Sequence, residues 1–182
     1  MKIMRIIGGK YRSRVLKEFP GTEVRPTSDR AREALFNILS PKLYGARVLD
    51  LFCGTGALGL EALSRGAREA VFNDLSRDSV RLVGENIRKL GLGRDEAKVY
   101  NLDYSVCLDR LEGKFDIVFL DPPYRLDCGA EALKKLAGRG LLAEGGVAVL
   151  ERDVLPDGEI PGLERFDERK YGKAKFAFYR PV

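Results

Sequence analysis

The sequence predicts an α/β fold built on a mostly parallel sheet, and three observations carry that prediction. From residue 46 onward, apolar runs alternate with segments of helical periodicity. A glycine-rich turn joins the first of those runs to the first of those helices. The tail, "LERFDERKYGKAKFAFYR" (163–180), breaks the alternation and reads as two β segments around Gly172. Apolar runs separated by helices mark parallel strands buried on both faces. Two β segments without a helix between them mark an antiparallel hairpin that finishes the sheet.

Each element follows in order. "RIIGGKYRSRVL" reads as two short strands joined at Gly8-Gly9, because paired glycines take the positive φ of a tight hairpin. The chain loops around Pro20-Gly21. "SDRAREALFNILS" then sets Ala31, Ala34, Leu35, Ile38 and Leu39 at helical spacing, with Ser28 as N-cap and Pro41 as the stop. Strands are predicted over 46–52, 69–74, 97–102, 114–120 and 145–151. Helices are predicted over 57–66, 77–91, 104–112 and 129–138, the first two closed by Gly66 and Gly91.

Composition narrows the function. At 182 residues the chain suits one domain with a real core, and 45% hydrophobic with 32% charged residues reads as soluble and globular. No apolar run approaches the roughly 18 residues that span a bilayer, and no signal peptide is visible. Cys53, Cys107 and Cys128 are scattered and odd in number, which suits a reducing cytoplasm. The sequence has no histidine and no CxxC pair, so Ser-His-Asp and Cys-His chemistry are excluded and no metal site is expected. The net charge is +5, and residues 1–32 hold nine Lys or Arg against three acids, so the remainder is near neutral. A basic arm on a neutral body points to a polyanionic partner.

"DLFCGTGALG" (50–59) follows the first predicted strand and opens the next helix. Gly54, Gly56 and Gly59 fit G-x-G-x-x-G, and Asp74 ends the second strand where it would meet a ribose. This pattern alone leaves NAD, FAD and S-adenosylmethionine open. Two acids favour the last. Asp50, just before the glycines, suits a cationic ammonium and repels a pyrophosphate. Asp103, after the third strand, is placed to accept from an adenine amino group. All these acids fall at strand C-termini, the edge where open α/β sheets bind ligands.

"DIVFLDPPYR" (116–125) ends the fourth predicted strand in an acid, two prolines and a ring. The prolines fix φ and remove two donors, so the Asp121 carboxylate and the Pro122 carbonyl face outward as acceptors. Tyr124 adds a stacking face. Two acceptors and a ring suit the exocyclic amine of a nucleobase, whose lone pair they would localise. An amine that gains a methyl before it loses a proton needs no histidine base. Methylation at a base carbon would need a thiolate. Cys53 lies inside the glycine loop, and Cys107 and Cys128 lack basic neighbours, so packing is the better role for all three.

"RIIGGKYRSRVL", "RPTSDRAREALFNIL", "DLFCGTGALGLEALSRGA" and "DPPY" together resemble the RsmD family of ribosomal RNA guanine-N2 methyltransferases, over residues 3 to 180. The resemblance implies a class I S-adenosylmethionine-dependent methyltransferase fold, Rossmann-like, with seven strands and an antiparallel last strand. It implies a basic N-terminal hairpin extension (residues 1–27) ahead of a methyltransferase domain (residues 28–182). Asp50, Gly54 and Gly56 would hold the methionine end of S-adenosyl-L-methionine, Asp74 with Leu75 the ribose, and Asp103 the adenine. Asp121, Pro122, Pro123 and Tyr124 would hold the target base. Arg5, Lys10, Arg12, Arg14 and Arg25 would hold RNA. The family often carries Glu where this chain has Asp74. The implied substrate is one guanine of 16S ribosomal RNA, free or within a small-subunit particle, and the implied enzyme is a cytoplasmic monomer with no membrane partner. A DNA adenine-N6 methyltransferase would use the same DPPY chemistry but has little room here for a target-recognition region. An oxidoreductase would leave DPPY idle, and a silent RNA-binding module would not need acids at three strand ends.

Overall fold

A serine starts the first helix. In the computed structural model, which describes residues 3–20 and 27–182, α1 (Asp29–Leu43) begins where the Ser28 hydroxyl accepts the Ala31 N–H at 3.1 Å. This satisfies one of the donors that a helix leaves orphaned at its start. Leu35, Phe36 and Leu39 form its buried face. Pro41 does not stop the helix, as the sequence suggested, but sits inside its last turn. A proline there forfeits one hydrogen bond, and the burial of Leu43 beyond it holds the turn closed.

The alternation that follows is β1 (Arg47–Asp50), α2 (Ala57–Ser64), β2 (Glu69–Asn73), α3 (Arg77–Leu90), β3 (Ala97–Tyr100), α4 (Tyr104–Arg110), β4 (Phe115–Leu120), α5 (Gly129–Gly138), β5 (Leu142–Glu151), β6 (Leu163–Tyr171) and β7 (Ala174–Pro181). These form one seven-stranded sheet in the order β3-β2-β1-β4-β5-β7-β6. The first five strands run parallel, and β7 lies antiparallel between β5 and β6. Strand β5 starts three residues earlier than its apolar run predicted. The β4–β5 register shifts between Phe115 and Ile117, and Gly146 sits so close to the chain that a Cβ would lie 2.7 Å from the Ala143 carbonyl. Of the three extra residues only Leu142 is buried in the core, so Ala143 and Glu144 interrupt the apolar run and the strand's start is not visible in hydropathy.

Each face of the sheet carries its own core. Val48, Phe72, Phe119 and Phe178 pack under α1, α2 and α3. Leu49, Val118, Leu120 and Ala177 pack under α4 and α5. Alternate residues of one strand go to opposite cores, the period-two rule of a pleated strand.

The N-terminal segment joins the first core through Met4, Ile6 and Leu16. It is a hairpin with one bridge, Arg5 to Val15, and hydrogen bonds from Leu16 N to Met4 O and from Ile6 N to Arg14 O. The reversal spans residues 8–13 rather than a two-residue turn at Gly8-Gly9. Those glycines serve docking instead. A Cβ on Gly9, whose φ is +78°, would lie 2.0 Å from the Ser64 carbonyl oxygen. The Glu61 carboxylate, 0% exposed, accepts the N–H groups of Ile7 and Gly8, both at 2.9 Å. Strand β1 climbs to the cleft edge of the sheet, and the eight residues of α2 then descend about 12 Å at 1.5 Å per residue. Because Lys10 N bonds the Ser64 carbonyl at the foot of α2, the hairpin tip sits at the sheet edge opposite the cleft.

Candidate active site

Strand order reverses between β1 and β4, and open α/β sheets bind ligands at that switch point. Asp50 ends β1 there, and Asp121 follows β4 beside it. One cavity of about 760 Å³ opens over both. It is lined by Asp50, Gly54, Asp74, Leu75 and Asp103 on one side and by Asp121, Pro122, Pro123 and Tyr124 on the other. The structure therefore gathers the residues expected to hold cofactor and target base, Gly56 excepted. Gly56 caps α2 with φ +83° and leaves a Cβ only 2.3 Å from Val83. Its role is close packing of loop against helix. Gly54 differs, because a Cβ there (φ +53°) would meet nothing within 4 Å and its backbone borders the open cavity.

Hydrogen bonds hold the acids in place. Asp74 accepts Gly54 N–H through one oxygen and Ser76 N–H through the other, each at 2.9 Å. It thereby braces the glycine loop while lining the cavity. Asp103 caps α4 by accepting Ser105 N–H at 2.9 Å. Asp50 accepts Gly59 N–H at 3.0 Å and is 2% exposed. Burial, with the nearby Asp74 charge, raises its pKa to about 7 against the pull of the Gly59 bond. A buried carboxyl that resists ionisation is stabilised as an anion by an arriving cation. Asp121 is open toward the cleft and has protein packed behind it. That burial, then the charges of Glu151 and Asp50, push its carboxyl well above the usual range, with Arg152 acting in opposition.

Several functional neighbours carry no sequence motif. Arg152 donates to the Pro123 carbonyl at 3.1 Å and reaches the Pro122 carbonyl at 3.5 Å, so it braces the loop from behind. The Pro122 oxygen keeps a second lone pair for a ligand. The Thr27 hydroxyl lies 2.9 and 2.8 Å from the two Glu151 oxygens, and burial raises the Glu151 pKa. Asn73 ties the loops together through Leu51 O at 3.3 Å and Leu102 O at 3.0 Å. The signal available for Asn73, Glu151 and Arg152 was a polar residue at or just past a strand C-terminus, and Thr27, just ahead of α1, carried none. The three cysteines are buried and free, and burial pushes the Cys107 thiol up to about 12. None is a nucleophile at neutral pH.

The basic residues of the arm lie elsewhere. Arg5, Lys10, Arg12 and Arg14 are exposed. Arg14 reaches across to the Lys89 carbonyl near the foot of α3 at 2.9 Å. Arg25 falls outside the described residues. Among the described residues no helix is long and apolar enough to cross a membrane.

The family model Conserved hypothetical protein 95 matches residues 4–180. Ribosomal RNA small subunit methyltransferase D of Escherichia coli is 39% identical over 83% of this chain and 75% of its own length. The chain belongs to the RsmD family. The Haemophilus influenzae member carrying the same description is 34% identical over 82% of this chain and 79% of that one. Among solved structures similar to this RsmD-family chain, yhhF from Escherichia coli superposes with a TM-score of 0.87 at 34% identity. It covers 99% of this chain and 98% of that one. The seven-stranded order with β7 antiparallel is the class I methyltransferase fold.

Proposed function

We propose that this chain transfers the methyl group of S-adenosylmethionine to the exocyclic N2 of a guanine in 16S ribosomal RNA, acting as a monomer on free RNA or a small-subunit particle. One observation carries the reading. At a single cleft, the DPPY acceptor set stands beside a buried acid suited to a cation. The Escherichia coli relative described as acting on small-subunit ribosomal RNA supports the substrate class.

When bound, S-adenosylmethionine supplies a methyl group on an electrophilic sulfonium. The donor set fits it: Asp50 takes the ammonium, Gly54 leaves room for the methionine backbone, Asp74 and Leu75 flank the ribose, and Asp103 accepts from the adenine amine. Asp121 and the Pro122 carbonyl accept the two N–H bonds of the target amine, which localises its lone pair. Tyr124 stacks on the base and Arg152 keeps the prolyl carbonyls in position. With its raised pKa, Asp121 is also a competent acceptor for the proton the amine sheds. Residues 1–27 act as an extension to the domain formed by 28–182. Arg5, Lys10, Arg12, Arg14 and Arg25 hold RNA phosphates.

Cofactor affinity should depend on pH through Asp50. A cation needs this carboxyl ionised, and its pKa without ligand is about 7. Affinity should fall by up to about tenfold per pH unit below pH 7, as the carboxyl takes up its proton, and should fall again above about pH 8, where the ammonium loses its own. Asp50→Asn should bind more weakly and lose the fall below pH 7. In the free protein the sign is reversed. The folded state holds this proton more tightly than the unfolded chain, so stability declines as pH rises from about 4 through about 7. Calorimetric titrations between pH 5.5 and 8.5 check the first expectation, and a profile for the unmodified protein that stays level below pH 7 removes Asp50 from the cofactor site.

The function is tested with tritiated methyl transfer to RNA from undermodified ribosomal particles, followed by nucleoside analysis. N2-methylguanosine is the expected product. A C5-methylated pyrimidine would overturn the amine chemistry, and N6-methyladenine in duplex DNA would point to the adenine-specific enzyme instead.

A further inference from the structure

A second groove, of about 610 Å³, opens from the active-site cleft. Arg30 in the first turn of α1 forms one wall, and Lys170, Tyr171 and Lys173 around the β6–β7 turn form the other. Thr27, Tyr124 and Glu151 line both groove and cleft, so the two are continuous. Tyr124, 65% exposed, stands where they meet. The β6–β7 turn reaches this spot because β7 runs antiparallel to β5 and starts level with Glu151, whose register partner is Phe176. Among the described residues, the side chains of Arg30, Lys170 and Lys173 make no hydrogen bond or ion pair. The Tyr171 ring is half-buried and backed by Phe176, with ring centroids 6.2 Å apart.

We infer that this groove holds the nucleotide adjoining the target, with its phosphates against Lys170, Lys173 and Arg30 and its base against the Tyr171 ring. The inference rests on the functional reading above and adds the path of the strand. A polynucleotide whose base reaches Asp121 must leave the cleft along the protein surface. Past Tyr124 it meets cations and an aromatic ring, the pairing that holds single strands without reading sequence. The tip of the hairpin, with Lys10 and Arg12, cannot serve this purpose, since it lies at the opposite edge of the sheet. Glu151, the acid at the junction, is held by the Thr27 hydroxyl and its carboxyl resists ionisation, which softens the repulsion of a passing phosphate. A groove of this size matches a nucleotide-sized ligand.

The test uses the full chain with Lys170→Ala/Lys173→Ala and, separately, Tyr171→Leu. Lys170 and Lys173 are exposed, so the double variant should fold normally. Binding to single-stranded RNA is measured against salt, and methyl transfer is measured for KM and kcat. The log–log salt slope should become shallower by about 1.4, since each phosphate left without its lysine removes about 0.7. KM for RNA should rise with kcat little changed, and cofactor affinity should stay level. Tyr171→Leu should weaken RNA binding about 5- to 150-fold, the span that one stacked base supplies, and Tyr171→Phe should restore it. An unaltered slope and KM in the double variant overturn the groove, as does a change seen only with duplex DNA. The slope is read without catalysis, so failure of methyl transfer in the unmodified protein sinks the functional reading and leaves the groove to be judged by binding alone.

Discussion

Asp121→Ala should lower methyl transfer by about 10²–10³-fold, the usual loss when one preorganised contact leaves such a site. Cofactor affinity should change far less if Asp121 meets the target base, as proposed, and not the nucleoside of the donor. Asp121→Asn keeps a carbonyl acceptor in the same place and should retain more activity than the alanine variant. It should still fall short of the parent, because the amide accepts more weakly and cannot take up a proton. Tyr124→Phe should stay near the parent rate, since stacking needs only the ring. Tyr124→Ala should lose roughly 1–3 kcal/mol of base stacking. Single-turnover rates order these variants, and an Asp121→Ala protein that methylates at the parent rate would falsify the amine-acceptor role.

Glu61→Ala should destabilise the fold by about 3–5 kcal/mol, the range for removing one partner of a buried charged network. This carboxylate accepts Ile7 and Gly8 N–H, pairs with Arg65 at 2.9 Å, and helps balance the charge of Arg32, which is itself 2% exposed. Burial lowers the pKa of that guanidinium while Glu61 acts to raise it. The alanine variant leaves two backbone donors and Arg65 without their acceptor and removes one of the charges that balance Arg32, which keeps Asp29 and the Arg5 carbonyl. Urea unfolding gives the size of the effect, and amide exchange over residues 4–16 gives its place. Glu61→Gln keeps one acceptor oxygen and should lose less. If the alanine variant unfolds at the parent midpoint with the hairpin still protected, the hairpin is held by its apolar contacts alone.

The parts legible in the sequence were those whose partners lie close along the chain. The glycine turn between β1 and α2, the acids at strand ends and the DPPY run each fall within a few residues of one strand terminus. A strand in a parallel sheet delivers all such termini to one edge. The illegible parts join distant segments. Thr27 with Glu151, Arg152 with Pro123, and Glu61 with Ile7 leave no periodic trace. Gly8-Gly9 was ambiguous for a different reason. A glycine pair suits a tight reversal and a close backbone approach equally well, and only the position of Ser64 decides between them. Pro41 likewise signals a stop, but tertiary burial of Leu43 outweighs a local preference.

The placement of β7 has a consequence for how the molecule is assembled. Strand β6 precedes β7 in the chain, yet it touches the sheet only through β7. It therefore cannot add to β5 as the chain emerges. Until β7 arrives, β5 presents an unpaired apolar border at Ala148 to Leu150, the kind of border on which chains stick to one another. The β6–β7 hairpin is local, closes around Gly172 with little loop entropy, and can exist before it docks. The sheet thus grows from β1 to β5 by crossovers and is sealed by a prefabricated ribbon. That ribbon brings Lys170, Tyr171 and Lys173 to the cleft in a single event, so completion of the core and completion of the basic groove coincide.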